Sequence, residues 1–166
     1  MKSFGELLSL HRELDDLFLA HQRALIRSDF PRALRHLDEY EAALAAHMRD
    51  EEERLIPLYA ERAGYIRGGA AELFLGEHRK MRRLVARFKE AIPRVAGAAD
   101  VERALLGLLD EQATFKHLCE HHDAREGQIL YPALDRVTSD EEKIRLGGEL
   151  KLRVPDAAQS VTAQTA

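Results

Sequence analysis

The sequence of 166 residues has no tryptophan and a single cysteine, Cys119. One cysteine cannot form a disulfide within the chain, so a disulfide-stapled scaffold is excluded and a reducing compartment is favoured. Long apolar runs are missing too, since no stretch approaches the roughly 20 residues that span a bilayer. The N-terminal segment MKSFGELLSLHREL is interrupted by charged residues and lacks the pattern of a signal peptide. We therefore predict a cytoplasmic protein with no membrane partner.

A strong charge of either sign is absent as well. The net charge is −4 at pH 7 and the sequence pI is about 6.1, which gives no reason to expect nucleic acid as a partner. The basic segment HRKMRRLVARFK, residues 78–89, lies on a helix whose other side is predicted to be buried. This segment therefore does not change the expectation that nucleic acid is not a partner. Charged residues at 33% and hydrophobic residues at 45% are typical of a single soluble domain of this length.

The alternation of apolar and polar residues that marks β-strands is not found. Apolar residues instead recur at steps of three and four in long segments bounded by glycine, proline and capping residues. Ser3 with Glu6 and Ser139 with Glu142 have the spacing of capping boxes, and Asp100 is a suitable N-cap. The predicted helices are 3–28, 30–63, 70–92 and 101–136, followed by a short fifth helix from 139 to about 152.

Proline positions set expectations for how these helices end or bend. Pro93 is expected to end the third helix, whereas Pro57 and Pro132, late in the second and fourth, are expected to kink or break them. Four long amphipathic helices with short connections predict an all-α, up-down-up-down four-helix bundle with a short C-terminal helix. Residues 1–153 are expected to form this domain, and residues 154–166 a mobile tail.

One histidine pattern occurs twice, in HMRDEEERLIP (47–57) and in HDAREGQILYP (122–132). Each segment has a Glu four residues and a Pro ten residues after the His, and with five prolines in the chain this repetition is not expected by chance. Residues i and i+4 lie on one helix face, so each His–Glu pair is a preformed pair of metal ligands. The residues are His47, Glu51 and Pro57 in the first segment and His122, Glu126 and Pro132 in the second.

Two further histidines are predicted to face the same interior zone. Counting back from a turn near residue 29 places His11 of the first helix level with His47, and His78 lies on the apolar face of the third helix. Buried carboxylates are unfavourable unless they are paired or bind a metal. Nitrogen and oxygen donors from four helices exceed the needs of one tetrahedral zinc and suit two transition-metal ions bridged by carboxylates. The alternative for each histidine is a hydrogen-bonded core residue.

Four segments resemble the hemerythrin-like HHE cation-binding domain family over about residues 3–136: LHREL, HMRDEEERLIP, EHRKM and HHDAREGQILYP. The resemblance implies a four-helix bundle around a non-haem di-iron centre, in which two iron ions share an oxo or hydroxo bridge. Zinc or another divalent metal is the alternative occupant in purified protein. Members of the family bind oxygen, sense oxygen or iron, respond to nitric oxide or help repair iron–sulfur clusters. The ligands that the resemblance implies are His11, His47, Glu51, His78, His122 and Glu126.

Two positions depart from the oxygen-carrying branch of this family. That branch has an additional His four residues before the position of His78, where this chain has Phe74. It also has a His-x4-Asp spacing on the last helix, which His121 with Glu126 would imitate. The internal repeat favours His122, with His121 as its replacement or support. One fewer His leaves an open coordination position and argues against simple reversible oxygen carriage.

We predict a non-haem di-iron protein that binds or senses oxygen, nitric oxide or peroxide, so its main partner is a small diatomic or peroxide ligand. One alternative is a catalytic di-iron protein that turns over peroxide or nitric oxide or supports iron–sulfur cluster repair. Another is a bundle with a single structural or regulatory metal. A signalling role would need a separate protein partner, and the chain is expected to be a monomer or a homodimer.

Several residues near the predicted centre have two interpretations. Glu52 is expected on the solvated face of the second helix. The alternative is that its carboxylate reaches the centre and acts as a base that contacts a ligand rather than the metal. Tyr40 and Cys119 are expected as core residues, the alternatives being a hydrogen bond near the metals and a redox-active thiol. His21 and His36 lie at similar levels of their helices and would form a weaker second metal site if both faced inward.

Overall fold

Residues 1–150, the part of the chain that the structure describes, contain helices and turns but no strand in this computed structural model. The elements in chain order are a 3-10 turn (Phe4–Leu7), α1 (Leu8–Ile26), α2 (Phe30–Asp50), a first π segment (Glu51–Leu55), α3 (Ile56–Arg62), α4 (Ala71–Ala96), α5 (Val101–Arg125), a second π segment (Glu126–Leu130), α6 (Tyr131–Val137) and α7 (Asp140–Glu149). The predicted all-α bundle with a short C-terminal helix is confirmed. The predicted tail at 154–166 lies outside the described residues.

Capping residues determine where the helices begin. The Ser3 hydroxyl accepts a hydrogen bond from the backbone of Gly5, and the Glu6 carboxylate accepts one from the Ser3 N–H, which forms the predicted capping box. The Ser3 hydroxyl also donates to Asp135 of α6 at 2.6 Å, so the chain start is fastened to the last helix of the bundle. Asp100 caps α5, and a second capping box opens α7, both as predicted.

Pro57 and Pro132 are accommodated by a widened helical turn, so that of the kink or break predicted at each proline, the break does not occur. A proline ring clashes with the carbonyl four residues earlier and offers no N–H. In both repeats the residue before the proline bonds five residues back: Ile56 N–H to the Glu51 carbonyl, and Tyr131 N–H to the Glu126 carbonyl. These bonds define the two π segments, which let α2 run into α3 and α5 run into α6 without a non-helical residue.

The predicted end of the third long helix at Pro93 is wrong, because α4 continues to Ala96. Pro93 lies in the last turn, where a missing N–H and a strained carbonyl disturb little of the helix. Burial holds this turn in place, since Ile92 is 0% and Val95 6% exposed. The N–H of Gly97 then bonds to the Pro93 carbonyl and closes the helix.

Two apolar clusters fill the bundle interior on either side of a polar layer. The aromatic cluster includes Phe18, Tyr40, Phe88 and Phe115. The Phe74 cluster includes Phe4, Tyr59, Phe74 and Tyr131. The candidate ligands fall between the two along the helices, so that His11, for example, lies between Leu10 of one cluster and Leu14 of the other. Within residues 1–150, no helix combines the length and apolar content needed to cross a membrane.

Candidate metal centre

The six side chains named as candidate ligands come together in the polar layer, each at most 6% exposed. Their imidazoles form two pairs that join neighbouring helices. Nε2 of His11 on α1 lies 3.1 Å from Nε2 of His47 on α2, and Nε2 of His78 on α4 lies 3.2 Å from Nε2 of His122 on α5. All four imidazoles therefore present the same nitrogen to the centre of the bundle.

Each carboxylate lies next to both histidine pairs. Glu126 places Oε2 3.1 Å from Nε2 of His11 and Oε1 2.8 Å from Nε2 of His122. Glu51 places Oε2 3.6 Å from Nε2 of His47 and 3.4 Å from Nε2 of His78. A carboxylate next to two histidine pairs can bind a cation together with either pair.

The donors divide into two overlapping groups, within each of which the ligand atoms lie within 4.8 Å of one another. The four-donor group consists of Glu51, His78, His122 and Glu126. The three-donor group consists of His11, His47 and Glu126. Glu126 belongs to both groups, so its carboxylate is the side chain that joins them.

Poorly satisfied buried atoms indicate that this layer fits a metal. Three buried side-chain atoms among the described residues make no well-aligned hydrogen bond, namely His11 Nδ1, Glu51 Oε2 and Glu126 Oε1. The two carboxylate oxygens lie near imidazole nitrogens, 3.4 Å from His78 and 2.8 Å from His122, and buried carboxylates need such a cationic partner. A cation in contact with Glu51 Oε2 and Glu126 Oε1 would satisfy both oxygens, and imidazole with carboxylate is a common donor set for transition metals.

The charges of the layer partly compensate one another. Burial opposes the charged form of His122, but the Glu126 carboxylate outweighs it and raises the pKa of this imidazole to about 10. Burial also opposes the charge of Glu126, yet the His122 charge keeps the pKa of that carboxyl well below its usual range. Because Nε2 of His78 lies 3.2 Å from Nε2 of His122, both rings cannot direct an N–H into the same gap. A cation bound there would displace the shared proton, so metal binding is coupled to proton release.

A second layer of carboxylates and arginines fixes two of the imidazoles. Nδ1 of His78 lies 2.9 Å from Oε1 of Glu52, and Arg82 donates one hydrogen bond of 2.9 Å to each oxygen of that carboxylate. Nδ1 of His122 lies 3.0 Å from Glu77, which is paired with Arg125. Such partners set the tautomer and orientation of a metal-binding imidazole.

Sequence reasoning found one of these two carboxylates. The sequence places Glu52 on a solvated face with reach to the centre as the alternative, and the carboxylate contacts the centre through His78. Glu77 was missed, although it directly precedes His78, because its contact crosses from α4 to α5 and depends on the rotation of both helices. Neighbouring charges lower the pKa of both carboxyls against the opposing effect of burial.

Tyr131 is the other residue that sequence reasoning missed. Its hydroxyl donates to Oε1 of Glu51 at 2.7 Å and lies 3.2 Å from Oε2 of Glu126. In an ideal α-helix a residue five positions after Glu126 points about 140° away from it. The second π segment removes most of this difference, so a helical wheel drawn at α-periodicity does not reveal the contact.

The alternative histidine positions are resolved by burial. His122 is 3% exposed and faces the layer, whereas His121 faces solvent. His21 is 0% exposed, but its nitrogens pair with the Ala33 carbonyl and with Gln112, both at 2.8 Å. His36 pairs with Glu39 at the surface, so the weaker second metal site is not formed by these two residues.

A small cavity of about 20 Å³ adjoins the layer on the side of the aromatic cluster. Tyr40 and Cys119 line it, with the hydroxyl 3.9 Å from the sulfur, and burial raises the pKa of the Cys119 thiol to about 12. A thiol with so high a pKa is a poor nucleophile, which favours a core role for Cys119. The residues that line the cavity are His11, Leu14, Asp15, Tyr40, Leu44, His47, Met81, Cys119, His122 and Asp123.

Comparison with known proteins agrees with this geometry. A search of curated proteins and a search of solved structures each found no match. A family model described as the hemerythrin HHE cation binding domain matches residues 4–134. The matched range runs from the 3-10 turn before α1 into α6, and it contains both π segments and all six candidate ligands. The resemblance inferred from the repeated motif is confirmed, and the chain belongs to the hemerythrin HHE cation-binding domain family.

Proposed function

We propose that this protein holds two iron ions, without haem, and binds or senses oxygen, nitric oxide or peroxide at that centre. The position of the two carboxylates is the main support, because Glu51 and Glu126 each lie next to both histidine pairs. Four donors satisfy one tetrahedral ion, so a single-metal structural site made of the four-donor group would not need the imidazoles of His11 and His47. His11, His47, Glu51, His78, His122 and Glu126 are the proposed ligands.

The donor set favours iron over the alternatives. It contains imidazoles and carboxylates but no thiolate, a combination that suits iron, and zinc is the main competitor for it. Bound iron would supply open coordination positions and reversible one-electron chemistry toward small ligands. The chain itself supplies fixed imidazoles, charge-compensating carboxylates and a hydrophobic surrounding that limits water access.

The size of the cavity favours a very small ligand. It has about 20 Å³ of space and adjoins His11, His47 and His122. A space of roughly 10–15 Å³ on this measure is the minimum for one water molecule. A diatomic molecule or a peroxide therefore fits, whereas an organic substrate does not. Leu14, Leu44 and Met81 provide its apolar wall.

A catalytic role is the second candidate, and Phe74 is the observation that favours it. Phe74 is 0% exposed and places its ring 6.4 Å from that of His122, where it supplies no ligand atom. A centre with fewer nitrogen donors retains more open positions, which favours turnover of peroxide or nitric oxide over stable binding.

Ligand binding to iron-loaded protein tests the proposal. Protein loaded anaerobically with ferrous iron is expected to give a saturable absorbance change with nitric oxide that reverses when the gas is removed. His47→Gln is expected to abolish this change, whereas His117→Gln, at a surface histidine paired with Glu120, is expected to leave it intact.

Two outcomes would decide against ligand binding as the main function. Continuous consumption of peroxide over many turnovers would favour the catalytic alternative. Iron-loaded protein whose spectrum does not respond to nitric oxide, oxygen or azide would contradict both roles.

A further inference from the structure

The hydroxyl of Tyr131 breaks the twofold repeat of the candidate centre. Tyr131 and Ile56 occupy equivalent places, because each follows a π segment and each N–H bonds to the carbonyl of the glutamate five residues earlier. Ile56 offers an apolar side chain that is 3% exposed, whereas Tyr131 offers a hydroxyl that reaches both carboxylates. The two halves of the repeat therefore place different chemistry beside the glutamates.

Tyr131 contacts one oxygen of each carboxylate. Its hydroxyl donates to Oε1 of Glu51 and lies next to Oε2 of Glu126. The other two oxygens, Glu51 Oε2 and Glu126 Oε1, make no well-aligned hydrogen bond. Both of these lie near Nε2 of His78, at 3.4 Å and 3.9 Å respectively. The four-donor group thus has two imidazoles and two carboxylate oxygens that Tyr131 does not contact, and the contact of Glu126 Oε1 at 2.8 Å is with His122, a donor of the same group.

The three-donor group is less well prepared. Its carboxylate atom nearest to His11 is Glu126 Oε2, at 3.1 Å from Nε2, and this is the oxygen that Tyr131 approaches at 3.2 Å. Glu51, the other carboxylate near this pair, has Oε2 3.6 Å from Nε2 of His47 and accepts the Tyr131 hydroxyl on Oε1 at 2.7 Å. A cation between His11 and His47 must therefore compete with this hydroxyl for Glu126 Oε2.

We propose that the centre has one tight and one exchangeable cation position, and that the Tyr131 hydroxyl weakens the second. The tight position is the four-donor group and the exchangeable position is the three-donor group. The inference rests on the proposed function, since it takes these residues to be metal ligands. Its consequence is that the chain passes from a one-metal to a two-metal form as the free divalent metal concentration rises, and ligand binding that needs both ions follows that concentration.

Cobalt(II) titration of metal-free protein without oxygen tests this inference, with the visible absorption of bound cobalt and calorimetry as readouts. Wild-type protein is expected to bind two cobalt ions with dissociation constants at least about tenfold apart. Tyr131→Phe is expected to strengthen the second binding step by roughly tenfold or more, which is within the range of effects on metal affinity that groups hydrogen-bonded to metal ligands have. The first binding step is expected to change by less than about threefold.

Tyr59→Phe is the matched control for loss of a buried tyrosine hydroxyl. Tyr59 donates to the Gly69 carbonyl at 2.6 Å, and the hydrogen bonds of its hydroxyl do not include either glutamate, so both constants are expected to stay unchanged. Two further variants test the assignment of positions without altering Tyr131. His47→Ala is expected to remove the weak step alone, and His78→Ala is expected to remove the tight step.

The inference and the proposed function fail in different ways. Two equal binding constants in wild-type protein would overturn the inference, and so would a Tyr131→Phe variant whose second step is unchanged or weaker. The proposed function survives both results. Wild-type protein that binds neither cobalt nor ferrous iron would overturn the proposed function itself.

Discussion

Glu126→Ala is expected to lower metal loading from about two equivalents per chain to well below one. Its two oxygens face both histidine pairs, 3.1 Å from His11 and 2.8 Å from His122, and both donor groups include it. If Glu126 binds a cation in each group, an alanine removes oxygen ligands and negative charge from both groups. Metal content at equilibrium with saturating ferrous iron under anaerobic conditions would measure the effect.

Two comparison variants make the Glu126 result specific. Glu51→Ala removes a member of the four-donor group alone and is expected to cost about one equivalent or more. Glu120→Ala, at an exposed carboxylate of α5 paired with His117, is expected to load like wild-type protein. Far-UV circular dichroism checks that each variant is folded before metal contents are compared, because removal of one partner of a buried ion pair destabilises a protein. Full loading of Glu126→Ala would show that this carboxylate is not a bridge.

Phe115→Ala is expected to lower the free energy of unfolding by about 3–5 kcal/mol, the range for removal of a buried aromatic side chain. Phe115 is 1% exposed, and its ring centroid lies 5.1 Å from that of Phe18 and 5.5 Å from that of Phe88. The melting temperature is expected to fall by roughly 6–20 °C for a domain of this size. Chemical and thermal denaturation of metal-free protein would measure both values.

An exposed leucine on the same helix gives the matched comparison for Phe115. Leu106 is 59% exposed, so Leu106→Ala is expected to change the unfolding free energy by no more than about 0.5 kcal/mol. Phe115 belongs to the aromatic cluster rather than to either donor group, so folded Phe115→Ala protein is expected to load metal normally. A loss below about 1 kcal/mol, or folded protein that cannot load metal, would contradict this separation of core and centre.

The bundle and most of the candidate centre could be predicted from the sequence because both depend on short-range helix geometry. A His and a Glu four residues apart share a helix face whatever the rest of the chain does. Two such pairs, His47 with Glu51 and His122 with Glu126, therefore predicted inward-facing donors, and all four are buried together. A short turn after α1 made the level of His11 predictable by counting, because errors in helix rise do not accumulate over so few residues.

The parts that were missed depend on departures from α-periodicity or on contacts between helices. The π segments change the phase of every residue after Glu51 and Glu126, which is how Tyr131 comes to face the carboxylates. Proline chemistry pointed to a disturbance at these places, but not to a turn widened by one residue. Glu77 needs the relative rotation of α4 and α5, which no single-helix pattern contains.

Metal stoichiometry of wild-type protein is the most direct test of the claim that four helices bring six side chains to a shared pair of cations. Protein purified without metal should bind about two iron ions per chain when it is equilibrated with saturating ferrous iron under anaerobic conditions. The iron should be removable by chelator and should give an oxo-bridge absorption band after exposure to air. A chain that retains no iron would contradict the account. A chain that retains one iron ion, and that binds it equally well after substitution of His11 or His47, would also contradict it.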